Sequence, residues 1–187
     1  MELLTAIRRA HPDDAEVIAG IYVESWRAAY AGLLPDRVLV GMSVARQTAQ
    51  WRAAIRRAGA GRGETILVAD NTADGVVGMA SCGRARAPAL GHEGELFTLY
   101  VGLDHLGQGY GRALLDESFR RLAEGGCRSA LVWVLAGNPS RFFYAAMGGR
   151  RMAARVETLW GADVAEEGYG WPDLAMIQGD EAPCSPR

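Results

Sequence analysis

The chain has 187 residues and a mass of 20.1 kDa, which suits one domain with a sizeable core and is short for two. A hydrophobic fraction of 49% with 22% charged residues excludes a disordered or membrane-embedded chain. The net charge of −2 argues against nucleic-acid binding, which usually needs a concentrated basic face. All 20 basic residues are arginine, so chemistry that requires a lysine, such as a P-loop or a Schiff base, is excluded.

Cysteine usage and the N-terminus indicate a cytoplasmic protein. Cys82, Cys127 and Cys184 form neither a CxxC pair nor an even framework, which argues against disulfides and structural zinc. The first residues lack the pattern of a secretion signal, and the longest apolar stretch, 130–136, is far shorter than a membrane span. The abundance of arginine and alanine suggests a GC-rich bacterial genome.

Hydrophobic periodicity and capping residues predict the first half of the chain. Asp13 and Glu16 form a D-x-x-E capping sequence, and Ser43 is a helix N-cap. Turn residues at 71–75 separate two apolar runs and predict an antiparallel hairpin. The predicted elements are a strand at 3–9, a helix from Asp13 to Tyr30, a helix from Ser43 to Ala58, and strands at 65–69 and 76–82.

The residue pattern in the second half of the chain predicts a β-α-β crossover, then a short helix and two strands. Its elements are a strand at 95–101, a helix at 109–124, a strand at 129–135, a helix at 140–147, and strands at 151–160 and 166–171. The expected fold class is therefore α/β, with a mixed, mostly antiparallel sheet of about seven strands, a central β-α-β crossover and about four helices. We expect a single domain at 1–178 and a flexible tail at 179–187.

A glycine loop lies at the start of the crossover helix. Gly107, Gly109 and Gly111 alternate, so the backbone there can curl around a ligand at a helix N-terminus, which favours an anion such as phosphate. A dinucleotide-binding fingerprint fits poorly, because Arg112 occupies its third glycine position. A glycine turn without a ligand is the alternative.

The loop and a second motif together resemble the GNAT superfamily of N-acetyltransferases. The family pattern falls on Leu106-Gly-Gln-Gly-Tyr-Gly111, after a strand that ends Leu99-Tyr-Val101. A second signature runs from Asn138 through Tyr144 to Gly148, and the segments 24–35 and 169–174 resemble a bacterial branch. The resemblance covers about residues 4–177 and implies the GNAT fold with an acetyl-CoA site.

The resemblance also implies how acetyl-CoA is bound. Strands four and five would splay apart and leave backbone groups of β-strand four free to pair with the pantetheine arm. Leu106 replaces the usual Gln or Arg of the motif, and Gly149 replaces a frequent Phe. The implied cofactor-binding residues are Leu99, Tyr100, Val101, Gly107, Gln108, Gly109, Tyr110, Gly111, Arg112, Asn138 and Arg141.

Tyr144 and Glu95 are the expected catalytic residues. Tyr144 would donate a proton to the leaving thiolate as general acid, although a tyrosine in the core is the alternative. Glu95 matches the base of the histone-acetylating branch, and the alternatives are a solvent-exposed strand start, Glu93 as base, or a water chain. Trp133 occupies the position at which other branches have a glutamate on the fifth strand.

Substrate choice is expected from the first helices and the last hairpin. Trp26, Arg27, Tyr30 and Trp171 are the substrate-binding candidates, with core packing of the aromatic residues and a solvated Arg27 as the alternative. His11, His92 and His105 lack metal-ligand spacing and are expected to be exposed, so no metal site is predicted.

The expected function is an acetyl-CoA-dependent N-acetyltransferase in which a primary amine attacks the thioester directly. The acceptor would be a small-molecule amine or a protein or peptide amine, and the resemblance is compatible with a homodimer. Nucleic-acid and membrane partners are not expected. A non-catalytic acyl-CoA-binding sensor is the alternative from another class.

The absence of lysine predicts that acetyl-CoA will barely modify the chain itself. Only the Met1 amine is available for stable N-acetylation. Intact-mass spectrometry after incubation with acetyl-CoA should therefore show at most one stable amine adduct. Two or more such adducts would contradict the prediction.

Overall fold

A computed structural model describes residues 5–61, 64–86, 90–159 and 161–175. The strands are β1 (Thr5–Arg9), β2 (Thr65–Asn71), β3 (Gly75–Arg84), β4 (Gly94–Val101), β5 (Ala130–Leu135), β6 (Arg150–Leu159) and β7 (Ala162–Trp171). The helices are α1 (Ala15–Ala29), α2 (Asp36–Val40), α3 (Val44–Gly59), α4 (Tyr110–Glu124) and α5 (Ser140–Ala146). The tail predicted at 179–187 lies outside the described residues.

The strands form one sheet in the order β1-β2-β3-β4-β5-β7-β6. Every neighbouring pair is antiparallel except β4 and β5, which α4 connects in parallel. The prediction of a mixed, mostly antiparallel sheet of seven strands with a central β-α-β crossover is therefore confirmed.

The parallel pair β4–β5 separates soon after it begins. Residues 94–96 of β4 pair with 130–132 of β5, and no further pairs follow. Beyond this point β4 stays paired with β3 through Val101, while β5 stays paired with β7 through Leu135. A gap thus opens between the carboxyl ends of the two central strands, as the splayed arrangement requires.

Helices cover both faces of the sheet. Helix α4 buries Leu114 and Phe119 in a cluster with side chains of β2 to β5 on one face. Helices α1 and α3 bury Ile18 and Trp51 against β2 and β3 on the other face. The gap between β4 and β5 therefore lies in a sheet that has helices packed on both faces.

Local signals predicted some helix ends and missed others. Ser43 caps α3 as predicted, with its hydroxyl accepting from the Arg46 amide at 3.4 Å. The cap before α1 is different, because His11 and Asp14 form the capping box instead of Asp13 and Glu16. Pro35 precedes the short helix α2, which the sequence analysis did not predict, and β7 begins four residues before the predicted start at 166.

His92 is buried, so the expectation that it is exposed was wrong. Only 5% of its surface is accessible, and its Nδ1 atom lies 3.0 Å from the carbonyl oxygen of Leu90. Its Nε2 atom packs against Gly170, where a Cβ atom would lie only 2.6 Å away. His11 is exposed as expected, and His105 is half-buried against the ring of Tyr110.

No helix in the described ranges is long and apolar enough to cross a bilayer. A search of the same ranges for a cluster of three or more His, Cys, Asp or Glu side chains that could hold a metal found none.

Gly149 allows an indole ring to pack directly against the backbone. A Cβ atom there would lie 2.7 Å from Trp171 Cζ2 and 2.8 Å from the carbonyl oxygen of Tyr144. The frequent Phe of the family has no room at this position, because Trp171 fills the space from β7. This contact holds the C-terminal end of α5 against the sheet.

Replacing Gly149 with alanine should lower the free energy of unfolding by about 1–3 kcal/mol, because neither the indole nor the backbone can withdraw cheaply. Urea unfolding followed by circular dichroism measures the change. The control is Gly20→Ala in α1, where a Cβ atom meets nothing within 4 Å and helix propensity should raise stability by up to about 1 kcal/mol. Equal effects from the two substitutions would contradict the prediction.

Candidate active site

A cavity of about 790 Å³ lies where β4 separates from β5. The C-terminal part of α1, the end of β4, the loop before α4 and the start of α5 form its walls. A groove of this size fits a large ligand. We call this cavity the donor groove, and its lining includes Leu99, Tyr100, Val101, Gly107, Gly109, Arg112, Asn138 and Tyr144.

The glycine loop forms one end of the donor groove. Gly107 and Gly109 have φ angles of +74° and +89°, which favour glycine, and a Cβ atom on either residue would point into open space. Gly109 is the N-cap of α4 but provides no side-chain cap, and the first turn of α4 has no acidic residue. The first amides of α4 are therefore free of side-chain partners, and the helix dipole favours an anion there.

Most of the predicted cofactor-binding residues line the donor groove, and two do not. The Gln108 amide donates instead to the carbonyl oxygen of Asp104 at 3.2 Å. The guanidinium of Arg141 lies over the ring of Phe142, 4.8 Å from its centroid. The residues that do line the groove are Leu99, Tyr100, Val101, Gly107, Gly109, Tyr110, Gly111, Arg112 and Asn138.

Tyr110 contributes to the groove mainly by fixing its shape. Its side chain is buried, and its hydroxyl accepts a hydrogen bond from Asn71 Nδ2 at 2.8 Å. The start of α4 is thereby attached to the end of β2. Arg112, in contrast, is largely exposed and lies only 3.8 Å from Asp116 in an ion pair.

Tyr144 lies in the wall of the donor groove and is 6% exposed. Its ring makes edge contacts with Phe143 and Trp171, at centroid distances of 5.3 and 6.3 Å. Burial raises the pKa of Tyr144 well above its ordinary value. The phenol therefore keeps its proton throughout the neutral range and is available as a donor.

Two further phenols lie close to Tyr144. The hydroxyl oxygens of Tyr30 and Tyr100 are 3.4 Å apart, and burial raises the pKa of both groups. Asn138 Oδ1 accepts from the Ser140 amide at 2.9 Å, and the Asn138 side chain is near enough to Tyr30 to lower the pKa of its phenol. It therefore connects the start of α5 to the phenol cluster.

A second cavity, of about 490 Å³, lies on the face of the sheet that α1 and α3 cover. It is called the acceptor cavity below. Tyr100 lines both cavities, so the two are neighbours that share this residue as a wall beside the gap between β4 and β5. Its aromatic lining is Tyr22, Trp26, Tyr30, Trp51, Phe97, Tyr100 and Trp133, and its polar lining includes Gln47, Gln50, Arg57, Glu64, Ser81, Arg86, Thr98 and Glu166.

Glu95 lines neither cavity. The side chain is 4% exposed, and Arg86 holds both of its oxygens. The Arg86 guanidinium donates to Oε1 at 2.5 Å, and the Arg86 amide donates to Oε2 at 3.0 Å. Glu95 is therefore held in an ion pair with Arg86 and lies outside the linings of both cavities. Glu93 is likewise engaged, by the amide and guanidinium of Arg128.

The four predicted substrate residues divide equally between the acceptor cavity and other positions. Trp26 and Tyr30 line the cavity. Arg27 instead donates to the carbonyl oxygens of Leu39 and Met42, which ties α1 to the α2 region. Trp171 is a core residue, 2% exposed, whose indole donates to the carbonyl oxygen of Met147 at 2.9 Å.

Sequence reasoning missed the polar residues of the acceptor cavity. Glu64 precedes β2, while Ser81 and Thr98 lie on β3 and β4. Only the register between three strands brings them together, with Ser81 opposite both Ile66 and Thr98. The alternation of polar and apolar residues could have predicted which face of the sheet each side chain occupies. It could not have predicted that these side chains are neighbours, because that depends on strand register.

Comparison with known proteins identifies the family that this fold and groove represent. The model of the acetyltransferase (GNAT) family matches residues 23–148, so the chain belongs to that family and is an acetyltransferase. A curated relative from Bacillus subtilis (strain 168), described as the uncharacterized N-acetyltransferase YuaI, is 31% identical over 175 residues. That alignment covers 94% of this chain and 97% of the relative.

Solved structures share the fold. The PaiA N-acetyltransferase of Thermoplasma acidophilum, solved with coenzyme A, is 19% identical with a TM-score of 0.64, over 87% of this chain and 97% of that one. YncA of Salmonella typhimurium, a putative acetyltransferase solved with acetyl-CoA, is 22% identical with a TM-score of 0.65, over 98% of each chain.

Substituting Gly109 with alanine should weaken acetyl-CoA binding by about tenfold or more. The added methyl group would project into the open space beside the glycine loop and the first amides of α4, which we call the cradle. Isothermal titration calorimetry measures the affinity. Gly126→Ala, beyond the other end of α4, has a similar φ of +84° and equally open surroundings. It imposes comparable backbone strain outside the groove, so equal loss of affinity in both variants would refute the prediction.

Proposed function

We propose that this acetyltransferase moves the acetyl group of acetyl-CoA to a primary amine by direct attack of the amine on the thioester, in the cytoplasm. The observation that carries the proposal is the meeting of two cavities at Tyr100, in the gap between β4 and β5. The donor enters from the α4 and α5 face, and the amine enters from the α1 and α3 face. No covalent enzyme intermediate is then needed, because the two substrates meet in the gap.

The donor groove fits the parts of acetyl-CoA. The glycine loop and the uncapped start of α4 would hold the pyrophosphate through backbone amides. Arg112 is the cation nearest to this cradle in the groove lining. The free edge of β4 at Leu99 to Val101 would pair with the pantetheine arm as an added strand does. Leu106 contributes no polar contact, so the backbone carries most of the recognition.

The chain supplies two of the groups that acetyl transfer needs in the gap. Acetyl-CoA itself provides an activated acetyl thioester. A backbone amide of the free β4 edge, at Leu99, would donate to the thioester oxygen, and such a donor contributes about 3 kcal/mol. Tyr144 would donate its proton to the sulfur as the C–S bond breaks. The raised pKa of Tyr144 keeps that proton in place beforehand.

The acceptor cavity favours an enzyme over an acyl-CoA sensor. A sensor needs only the donor groove, whereas this chain has a second cavity of about 490 Å³ that opens on the same gap. The volume lies in the range of small-molecule sites, which favours a small amine over a protein chain as acceptor.

Tyr144→Phe should lower the rate of coenzyme A release with an amine acceptor by about 100-fold, because the leaving thiolate loses its proton donor. The affinity for acetyl-CoA should change little, since the ring remains in place. The rate is measured by thiol detection and the affinity by calorimetry.

Tyr169→Phe is the matched control. That phenol is also buried, but it donates to Glu167 at 3.0 Å and lines neither the donor groove nor the acceptor cavity. Its loss should leave turnover close to that of the unmodified chain. Unchanged turnover in Tyr144→Phe would refute the role of Tyr144, and binding of acetyl-CoA without turnover on any amine would favour the sensor.

A further inference from the structure

We propose that the acceptor cavity takes a small cationic amine with an apolar body, and that Glu64 receives its proton through the hydroxyls of Thr98 and Ser81. This inference rests on the proposed function and names the substrate class and the proton path of the same site. It assigns the role of base to a residue other than Glu95.

The walls of the acceptor cavity suit a cation with an apolar body. Tyr22 contacts Trp26, Trp51 and Tyr100 at ring-centroid distances of 5.3, 5.7 and 5.4 Å, and Trp26 continues to Tyr30 at 4.8 Å. These rings form a connected aromatic wall that reaches the gap at Tyr100. Aromatic faces attract ammonium groups and bury apolar surface at the same time.

Four charged side chains line the cavity, namely Arg57, Glu64, Arg86 and Glu166, and ion pairs neutralise two of them. Glu166 is paired with Arg155 at 2.7 Å, and Arg86 is paired with Glu95 at 2.5 Å. Among the residues that the structure describes, Glu64 has no basic side chain within the 4.0 Å of an ion pair. Glu64 is therefore the carboxylate in the lining that can respond to an incoming ammonium ion.

The hydroxyl groups of Thr98 and Ser81 lie between the gap and Glu64. Thr98 lies on β4 just beyond the last residue paired with β5, and its Oγ1 atom is 2.8 Å from Ser81 Oγ. Ser81 and Glu64 both line the cavity, and the Ser81 hydroxyl lowers the pKa of the Glu64 carboxyl, which favours its charged form. All three groups line the acceptor cavity, so they connect the reacting end of the site to a half-buried base.

The proton balance is complete with these groups. The ammonium gives one proton to Thr98 Oγ1 while Thr98 passes its own to Ser81 and Ser81 passes its own to Glu64. The neutral amine then forms the C–N bond as the C–S bond breaks, and Tyr144 protonates the sulfur. The second nitrogen proton restores Tyr144, and Glu64 releases its proton to solvent. The net reaction converts an ammonium ion and acetyl-CoA into an amide, coenzyme A and one proton.

The surroundings of Glu64 tune it for this role. Burial raises the pKa of Glu64, and this effect outweighs Arg57 of α3, Arg86 beyond β3 and the Ser81 hydroxyl, which lower it. The neighbouring Cys82 thiol has a pKa raised mainly by burial and remains neutral. A carboxylate with a raised pKa is a stronger proton acceptor than an exposed one.

The test compares two acceptors that differ in basicity. One is an arylalkylamine, whose amine has a pKa of about 10 and must lose a proton. The other is an arylamine of similar size, which is already neutral at pH 7. Glu64→Gln should lower kcat/KM for the arylalkylamine about 100-fold or more. For the arylamine, kcat/KM should stay close to that of the unmodified enzyme. The acidic limb of the pH profile with the first acceptor should also disappear.

Two further variants separate the proton path from folding. Thr98→Val keeps the shape of the side chain and removes the hydroxyl, so it should produce the same loss confined to the basic acceptor. Glu16→Gln removes an exposed carboxylate on α1 that lines neither cavity, and it should change neither reaction. Acetyl-CoA affinity, by calorimetry, should be unchanged in all three variants.

Binding of the amine gives a readout apart from turnover. Trp26, Trp51 and Trp133 line the acceptor cavity, so the arylalkylamine added with coenzyme A should change tryptophan fluorescence, and Glu64→Gln should weaken that response. Equal losses for both acceptors, or no loss for either, would overturn the proposal. Acetyl-CoA binding with no acetylation of any amine would instead overturn the proposed function itself.

Discussion

The early end of the pairing between β4 and β5 is the constraint on which the site depends. Parallel strands that stayed in register to their carboxyl ends would close the sheet and separate its two faces completely. Here only 94–96 and 130–132 pair, so the backbone of β4 beyond Leu96 has no partner on the β5 side. A free strand edge is normally a liability. In the proposed function it binds the extended pantetheine arm, and the gap beside it lies between the two cavities that share Tyr100.

Close packing holds the reacting side chains at that gap. Trp171 fills the space over Gly149 and makes an edge contact with Tyr144, so β7 and α5 together fix the phenol in the wall of the donor groove. Asn138 accepts from the Ser140 amide at the start of the same helix and lies near Tyr30, whose pKa it lowers. Trp171 was a substrate-binding candidate from the sequence. In the structure it acts on the site indirectly, because it positions Tyr144, the proposed general acid.

The sequence allowed the fold and the donor groove to be predicted, because both depend on local signals. Hydrophobic periodicity, caps and a glycine loop are readable from neighbouring residues, and a motif shared with known enzymes covers the cradle. The acceptor side depends on contacts between distant segments. The burial of Glu95 could be suspected from the sequence. Its ion pair with Arg86, however, depends on the path of the chain between β3 and β4. Burial of His92 depends on a glycine in β7, and Glu64 meets Ser81 only through strand register.

Tyr100 belongs to both cavities, and this shared wall couples the two binding events thermodynamically. Any shift of the ring that an occupant of one cavity requires changes the free energy of filling the other. Such coupling is reciprocal, so whatever factor acetyl-CoA imposes on amine affinity, the amine imposes on acetyl-CoA. A single aromatic side chain can therefore make the affinity for each substrate depend on whether the other is bound.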